Sequence, residues 1–225
     1  MKALIRLVLD DRPGALAQAA TAIAQAGGDI VAVDVVERGD FQVIDDFVVD
    51  LNDRDHIDLE LMANRLRNEP GVGIECIRLT PQVELHRELE LLTRLAVDPK
   101  PSLDLLVRLV PEIVRCDWAV VISSAGIGVG VTHASIAGPR IRWTTLPWLP
   151  LGEAAAIDPD ERWLPSGWNG DELAFAAAPI DSRTTILTCR TGGPAFLRQE
   201  LAHLGQLATL AGQLLTMTVK AARTS

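Results

Sequence analysis

The sequence predicts an α+β protein: a βαββαβ half over residues 1–80, then an antiparallel sheet flanked by long helices. Three observations predict it. Short apolar alternating runs are separated by two stretches of helical spacing in the first half. Two amphipathic segments follow between residues 82 and 115. After Trp118, short β-like runs lead into one long helix striped with leucine and alanine. A chain of 225 residues is long enough for two domains, with boundaries expected at 1–80, a linker helix at 81–97, and 98–225.

Ala3–Leu9 is apolar and alternating, which marks a strand. Asp11-Arg12-Pro13-Gly14 then turns the chain, and Pro13 suits a first helical turn, where its missing N–H forfeits no hydrogen bond. Leu16, Ala19, Ala20, Ile23 and Ala26 share one helical face. Gly27-Gly28 ends that helix, since glycine takes a left-handed C-terminal conformation freely. Ile30–Glu37 is the second strand, Gly39-Asp40 a hairpin turn and Phe41–Leu51 the third strand. Asn52 and Asp53 are cap candidates for a second helix with a stripe of Ile57, Leu61 and Leu66, which Pro70-Gly71 stops. Val72–Leu79 is the fourth strand. The order is that of a split βαβ unit, a ferredoxin-like sheet with its helices on one face.

In the second half, Leu85, Leu89, Leu92 and Ala96 repeat at four-three-four spacing, a short helix with a coiled-coil seam. "DPKPS" breaks it, and Leu103–Arg115 is a second amphipathic helix despite Pro111. Strands are expected at Trp118–Ser123, Ile127–Ala134, Glu172–Ile180 and Thr184–Thr191. Between Ala137 and Gly170 the chain is rich in Pro, Gly and Trp, a long loop with one strand near Arg140–Thr145. Loops of that length often form lids or binding segments. Pro194–Lys220 closes the chain as a helix. Its stripe of Leu197, Leu201, Leu204, Ala208, Ala211 and Leu215, widened by Leu207, Leu210 and Leu214, requires a packing neighbour.

The formal charge of −9 is uneven: residues 1–80 hold 8 basic and 15 acidic side chains, the remainder 13 and 15. Binding to nucleic acid or to an anionic membrane is disfavoured, because phosphates need a concentrated basic surface. Cys76, Cys116 and Cys189 form no CxxC pair and read as small core residues. The N-terminal apolar run is too short for a signal peptide and contains Arg6. No run reaches the roughly 18 to 20 apolar residues of a membrane span. A cytoplasmic protein without a cofactor is expected.

The turn at residues 11–14 carries the main candidate site. A strand enters it and a helix leaves it, so N–H groups of Gly14, Ala15 and Leu16 are expected to face a small concavity, as helix N-termini do when they bind anions. Asp11 places a carboxylate beside them. Amides for a carboxylate and an Asp for an ammonium suit a zwitterion; the alternative is that Asp11 caps the helix. Trp143, Trp148, Trp163 and Trp168 crowd the irregular segment, where they either close the core or line a second pocket or partner surface.

Other patterns carry less. Gly126, Gly128 and Gly130 lack the spacing and following helix of a dinucleotide fingerprint and read as a hairpin. "DDFVVDLNDRDHIDLE" fails the EF-hand pattern and reads as strand-end and capping carboxylates. His56, His86, His133 and His203 are scattered, and Ser166 in "PSGWNG" has no G-x-S-x-G context. Catalysis is not expected.

Strand, "DDRPGAL", Ala-rich helix, "AGGDI", strand pair, helix and strand together resemble the ACT domain over residues 1–80. The D/N-R-P-G-x-L motif of that family is matched by Asp11, Arg12, Pro13, Gly14 and Leu16. Its x-N-I at the second strand is matched by Asp29-Ile30, with Asp in place of the common Asn. The resemblance implies a regulatory module, usually for amino acids, whose effector sits between this turn and the second strand of a neighbouring copy. The implied binding residues are Asp11, Arg12, Pro13, Gly14, Ala15 and Leu16, with Asp29 and Ile30 across the interface. Asp29 only accepts hydrogen bonds when ionised, so it favours an ammonium or hydroxyl partner.

The rest resembles a GAF domain through "PSLDLLVRLVPEIVRCDWAVVIS", "ELAFAAAPIDSRTTILTCRT" and the closing helix. That implies a central antiparallel sheet cupping a small-molecule pocket, with first and last helices packed together. The combined expectation is a non-catalytic, homodimeric sensor of a small molecule, an amino acid above all, that signals through altered packing. The alternative is an adaptor that regulates a partner protein without binding an effector.

Overall fold

A computed structural model describes residues 2–51, 59–80, 87–98, 102–124, 128–160, 162–168 and 170–224. The chain divides into two compact units, Met1–Leu85 and His86–Ser225.

In the first unit, β1 (Lys2–Asp10), α1 (Ala15–Gln25), β2 (Asp29–Arg38), β3 (Gln42–Asp50), α2 (Leu59–Asn68) and β4 (Val72–Thr80) follow in order. The strands form one antiparallel sheet, β2-β3-β1-β4. Alternation sends Ala3, Ile5, Leu7, Leu9, Phe47 and Val49 to one face, where Ala15, Ala19 and Ile23 of α1 and Met62 and Leu66 of α2 cover them. The expected α2 stripe is corrected here: Leu61 is 46% exposed, and Met62, Ala63 and Leu66 are the buried positions. Asn52, Asp53, His56 and Ile57 lie outside the described residues.

The acidic tract also differs from expectation. Asp45 and Asp46 lie inside β3, not at its end, and both are buried. Asp46 accepts two hydrogen bonds from its cross-strand partner Arg6, at 2.7 and 2.8 Å. That pairing allows a guanidinium in an apolar strand, since burying either charge alone would be costly.

In the second unit, α3 (Arg87–Val97), α4 (Ser102–Ile113), β5 (Trp118–Ser123), β6 (Val129–Ala134), β7 (Arg142–Trp143), β8 (Ala155–Ile157), β9 (Leu173–Pro179), β10 (Thr184–Thr191) and α5 (Arg198–Thr224) follow. The six strands make one antiparallel sheet, β7-β6-β5-β10-β9-β8. Alternation again splits its two faces. Ala119, Val121, Ala176, Ala178 and Ile186 meet the helices, while Trp118, Val120, Phe175, Leu187 and Cys189 meet the tryptophan-rich loop.

The helix taken as a linker joins this second core through Leu91, which is fully buried against α4. Of its expected seam, Leu85 lies outside the described residues and Leu92 is 36% exposed. The stripe on α5 finds its neighbour within the chain: Leu204, Leu207, Ala208 and Ala211 pack with Leu106 and Val110 of α4 and with the sheet. Gly212 makes the approach close, for a Cβ there would clash with the Ile180 carbonyl oxygen.

One buried side chain ties the ends of these helices together. Arg190 donates from Nη2 to the Val114 carbonyl at 2.7 Å and from Nε to the Arg115 carbonyl at 3.0 Å. Glu200 in the first turn of α5 accepts from the same guanidinium. A cation at the C-terminus of α4 and an anion at the N-terminus of α5 each meet a helix dipole of opposite sign.

Candidate functional site

The turn joining β1 to α1 is built by backbone and charge together. Helix α1 begins at Ala15, with Gly14 as its left-handed cap residue at φ 90° and no side-chain cap bond. Pro13 therefore stands before the helix instead of in its first turn, and Asp11 does not cap it. The Arg12 carbonyl accepts from the Ala15 N–H at 3.3 Å, and the Gly14 carbonyl accepts from Gln18 at 3.0 Å. The N–H groups of Gly14, Leu16 and Ala17 have no hydrogen-bond partner among the described residues. Of the three amides expected to face a ligand, two are available and Ala15 is engaged.

Three neighbouring segments fix the turn. The Asp11 N–H donates to the Phe41 carbonyl at 2.9 Å, which ties it to the β2–β3 hairpin. Arg12 donates to the Pro70 carbonyl at 3.1 Å and to Gln18 at 2.7 Å, which ties it to the α2–β4 turn and to its own helix. Arg38, at the end of β2, donates to both carboxylate oxygens of Asp11 at 2.8 and 3.1 Å. The carboxylate read as an ammonium acceptor is thus held by a guanidinium. Leu16, Val35 and Phe41 around this end of the unit are 45%, 61% and 85% exposed.

Asp29 stands elsewhere. It pairs with Asp50, as Lys2 does, whereas Asp10 pairs with Gln42. Eight residues of strand separate the two ends, roughly 27 Å. Within one chain Asp29 cannot join the turn; Ile30 beside it is half-buried against the helices.

One buried acid was missed in the sequence. Asp45 is 4% exposed and its Oδ1 has no hydrogen-bond partner. Burial pushes its carboxyl above the usual range, and the charge of Asp46 adds to the effect. Its signal was an Asp between Leu7 and Val35 on the helix-facing side, which becomes visible only once the register is known.

The four tryptophans do come together, in one cluster with Trp118 and Phe175. Trp163 and Phe175 meet edge to face at 4.9 Å, Trp148 meets Trp163 at 5.9 Å, and Trp168 stacks on Phe175 at 6.4 Å. They close the core over the sheet, with Trp143 and Trp163 buried. A cavity of about 330 Å³ adjoins them, walled by Trp143 and Trp163 and rimmed by Arg142, Thr144, Thr145 and Ser166. Trp148 and Trp168 are not among its lining residues.

Cys116 and Cys189 are buried, and burial pushes the Cys189 thiol up to about 12, so neither is placed for nucleophilic work. Among the described residues, no group of three or more His, Cys, Asp or Glu side chains is arranged to hold a metal ion. No described helix is long and apolar enough to cross a membrane.

Residues 3–71 match the family model of the ACT domain, so that stretch of the first unit carries an ACT domain. No curated protein matches the chain. Among solved structures, it is similar to the A. aeolicus nlh2 GAF domain in an inactive state, at TM-score 0.43 and 13% identity over 60% of this chain and 96% of that one. It is also similar to a GAF domain/HD domain protein from Geobacter sulfurreducens, at TM-score 0.36 and 16% identity over 50% and 88%. An unknown protein from Galdieria sulphuraria aligns at TM-score 0.26 and 9% identity over 96% and 93%.

Proposed function

We propose that the protein is a non-catalytic regulatory sensor, cytoplasmic and homodimeric, whose ACT domain binds an amino acid at the turn of residues 11–16. The observation that carries this reading is the opposed pair Asp11–Arg38 beside the unpartnered amides of Gly14 and Leu16. An exposed ion pair contributes about 0.2–1 kcal/mol, little enough for a zwitterion to replace it. The ammonium of the ligand then takes Asp11, and its carboxylate takes Arg38 and the free N–H groups.

Dimerisation supplies what one chain lacks. β2 is an edge strand of ten residues, and exposed edges invite pairing. Two-fold antiparallel pairing of β2 with a second copy, centred between Val33 and Asp34, sets Asp29 of one copy level with Arg38 of the other. The acid that stands remote from the turn in one chain then reaches it in two.

A second reading is favoured by the same ion pair. If Arg38 permanently satisfies Asp11, the chain is an adaptor that regulates a partner without an effector. Sedimentation velocity of the intact chain, alone and with each amino acid at millimolar concentration, separates the two. A ligand-dependent change in sedimentation supports the sensor, and indifference to all twenty supports the adaptor.

A further inference from the structure

Asp45 is a buried acid to which its described neighbours supply no counter-charge. It is 4% exposed and its Oδ1 lacks a hydrogen-bond partner, whereas buried carboxylates are normally paired or hydrogen-bonded. Its cross-strand neighbours are Leu7 and Val35. Helix α1, which covers this face of the sheet, carries no ionisable side chain between Ala15 and Gln25. The arginines of α2 are engaged elsewhere, Arg65 with Gln25 and Arg67 with Asn64. Asp46, the next residue of β3, lies on the opposite face and takes Arg6 there.

The register sets this acid next to the turn at residues 11–16. Arg38, which holds Asp11, pairs with Val43. Asp45 lies two residues further along β3 on the same face, roughly 7 Å from Val43. Towards the edge strand that face is open: Val35, the direct neighbour of Asp45, is 61% exposed, and Val33 beyond it is 38% exposed. An apolar lane therefore runs along β2 from Arg38 over Val35, with Asp45 one strand inward.

Resting on the reading of the turn as an amino-acid site, we propose that Asp45 sets the class of effector: an amino acid whose side chain ends in a second cation. The ligand backbone sits on Asp11 and Arg38, and its side chain follows the lane along β2. A lysine-type stem of four carbons spans roughly 6 Å, so its methylenes cover Val35 while its ammonium approaches Asp45. The carboxylate of Asp45 turns towards β2 to accept that ammonium and so gains the partner it lacks. A neutral side chain of equal length fills the lane but leaves the acid unpaired, and an acidic one sets like charge against it.

Calorimetric titration of the intact chain with lysine, arginine, norleucine and glutamate tests the assignment. Norleucine matches the lysine stem and lacks only the terminal amine. The expected result is that lysine or arginine binds about tenfold more tightly than norleucine, the gain of one hydrogen bond to a charged group, with glutamate weakest. In Asp45→Asn that ratio falls to about one, while far-UV circular dichroism shows the variant folded. Norleucine binding as tightly as both cations, or a preference for cations that survives in Asp45→Asn, overturns the assignment and leaves the turn as an amino-acid site. Failure of both cations to bind also overturns it; the reading of the turn falls as well only if all twenty amino acids fail.

Discussion

Arg38 grips both carboxylate oxygens of Asp11, closing the end of β2 onto the turn that precedes α1. The Arg38 side chain is 69% exposed, so solvent screens the pair. Arg38→Ala is expected to change unfolding free energy by less than about 1 kcal/mol in urea titrations. A larger loss would mark the pair as structural and leave little room for exchange with a ligand.

Gly14 holds φ 90°, and a Cβ there would meet nothing within 4 Å. Its role is conformational, not steric. Gly14→Ala should cost about 1–2 kcal/mol from the left-handed backbone alone, while Gly14→Asn should cost less, since asparagine tolerates that region better. Far-UV circular dichroism melts of the two variants check the ranking.

Arg190 joins the end of α4 to the start of α5 through carbonyls and the nine-tenths-buried Glu200. Arg190→Met leaves that carboxylate and two carbonyls without their donor, and a loss of about 3–5 kcal/mol is expected. All five tryptophans lie in the second unit and the chain has no tyrosine. Tryptophan fluorescence during denaturation therefore reports this loss without interference from the ACT domain.

Asp45 gives a pH signature of the opposite sign to an ordinary ion pair. Its native carboxyl holds a proton more tightly than the unfolded one. The stability it contributes is complete below the usual carboxylate range and is lost as pH rises through its raised native value. Asp45→Asn removes the titration. The variant should melt higher than the parent at pH 7, by a margin worth about 1 kcal/mol, with the gap narrowing towards pH 4. Hydrogen exchange of β3 amides localises the effect.

Much of the ACT unit was legible because its signals are local. Alternation in residues 3–9, helical spacing in 16–26 and the glycine pair at 27–28 each act within a few residues, and each element formed near its expected bounds. What stayed hidden depends on distant partners. Nothing near Arg6 announces Asp46, forty residues away, and nothing near Asp11 announces Arg38. The β8 strand was missed because three residues, Ala155–Ile157, are too few to show a period. The width of the α5 stripe was legible, but the surface it meets was not, because packing on α4 and packing on a second chain write the same pattern into one helix. For the tryptophans, sequence left core closure and a pocket open. The structure has them close the core while two of them also wall a cavity.

Titration calorimetry of the twenty amino acids into the intact chain tests the central claim most directly. The account predicts that at least one binds saturably, with one ligand per chain, and that Asp11→Ala abolishes the heat while the variant remains folded. Absence of saturable heat from all twenty at millimolar concentration, or equal binding by Asp11→Ala, would contradict it.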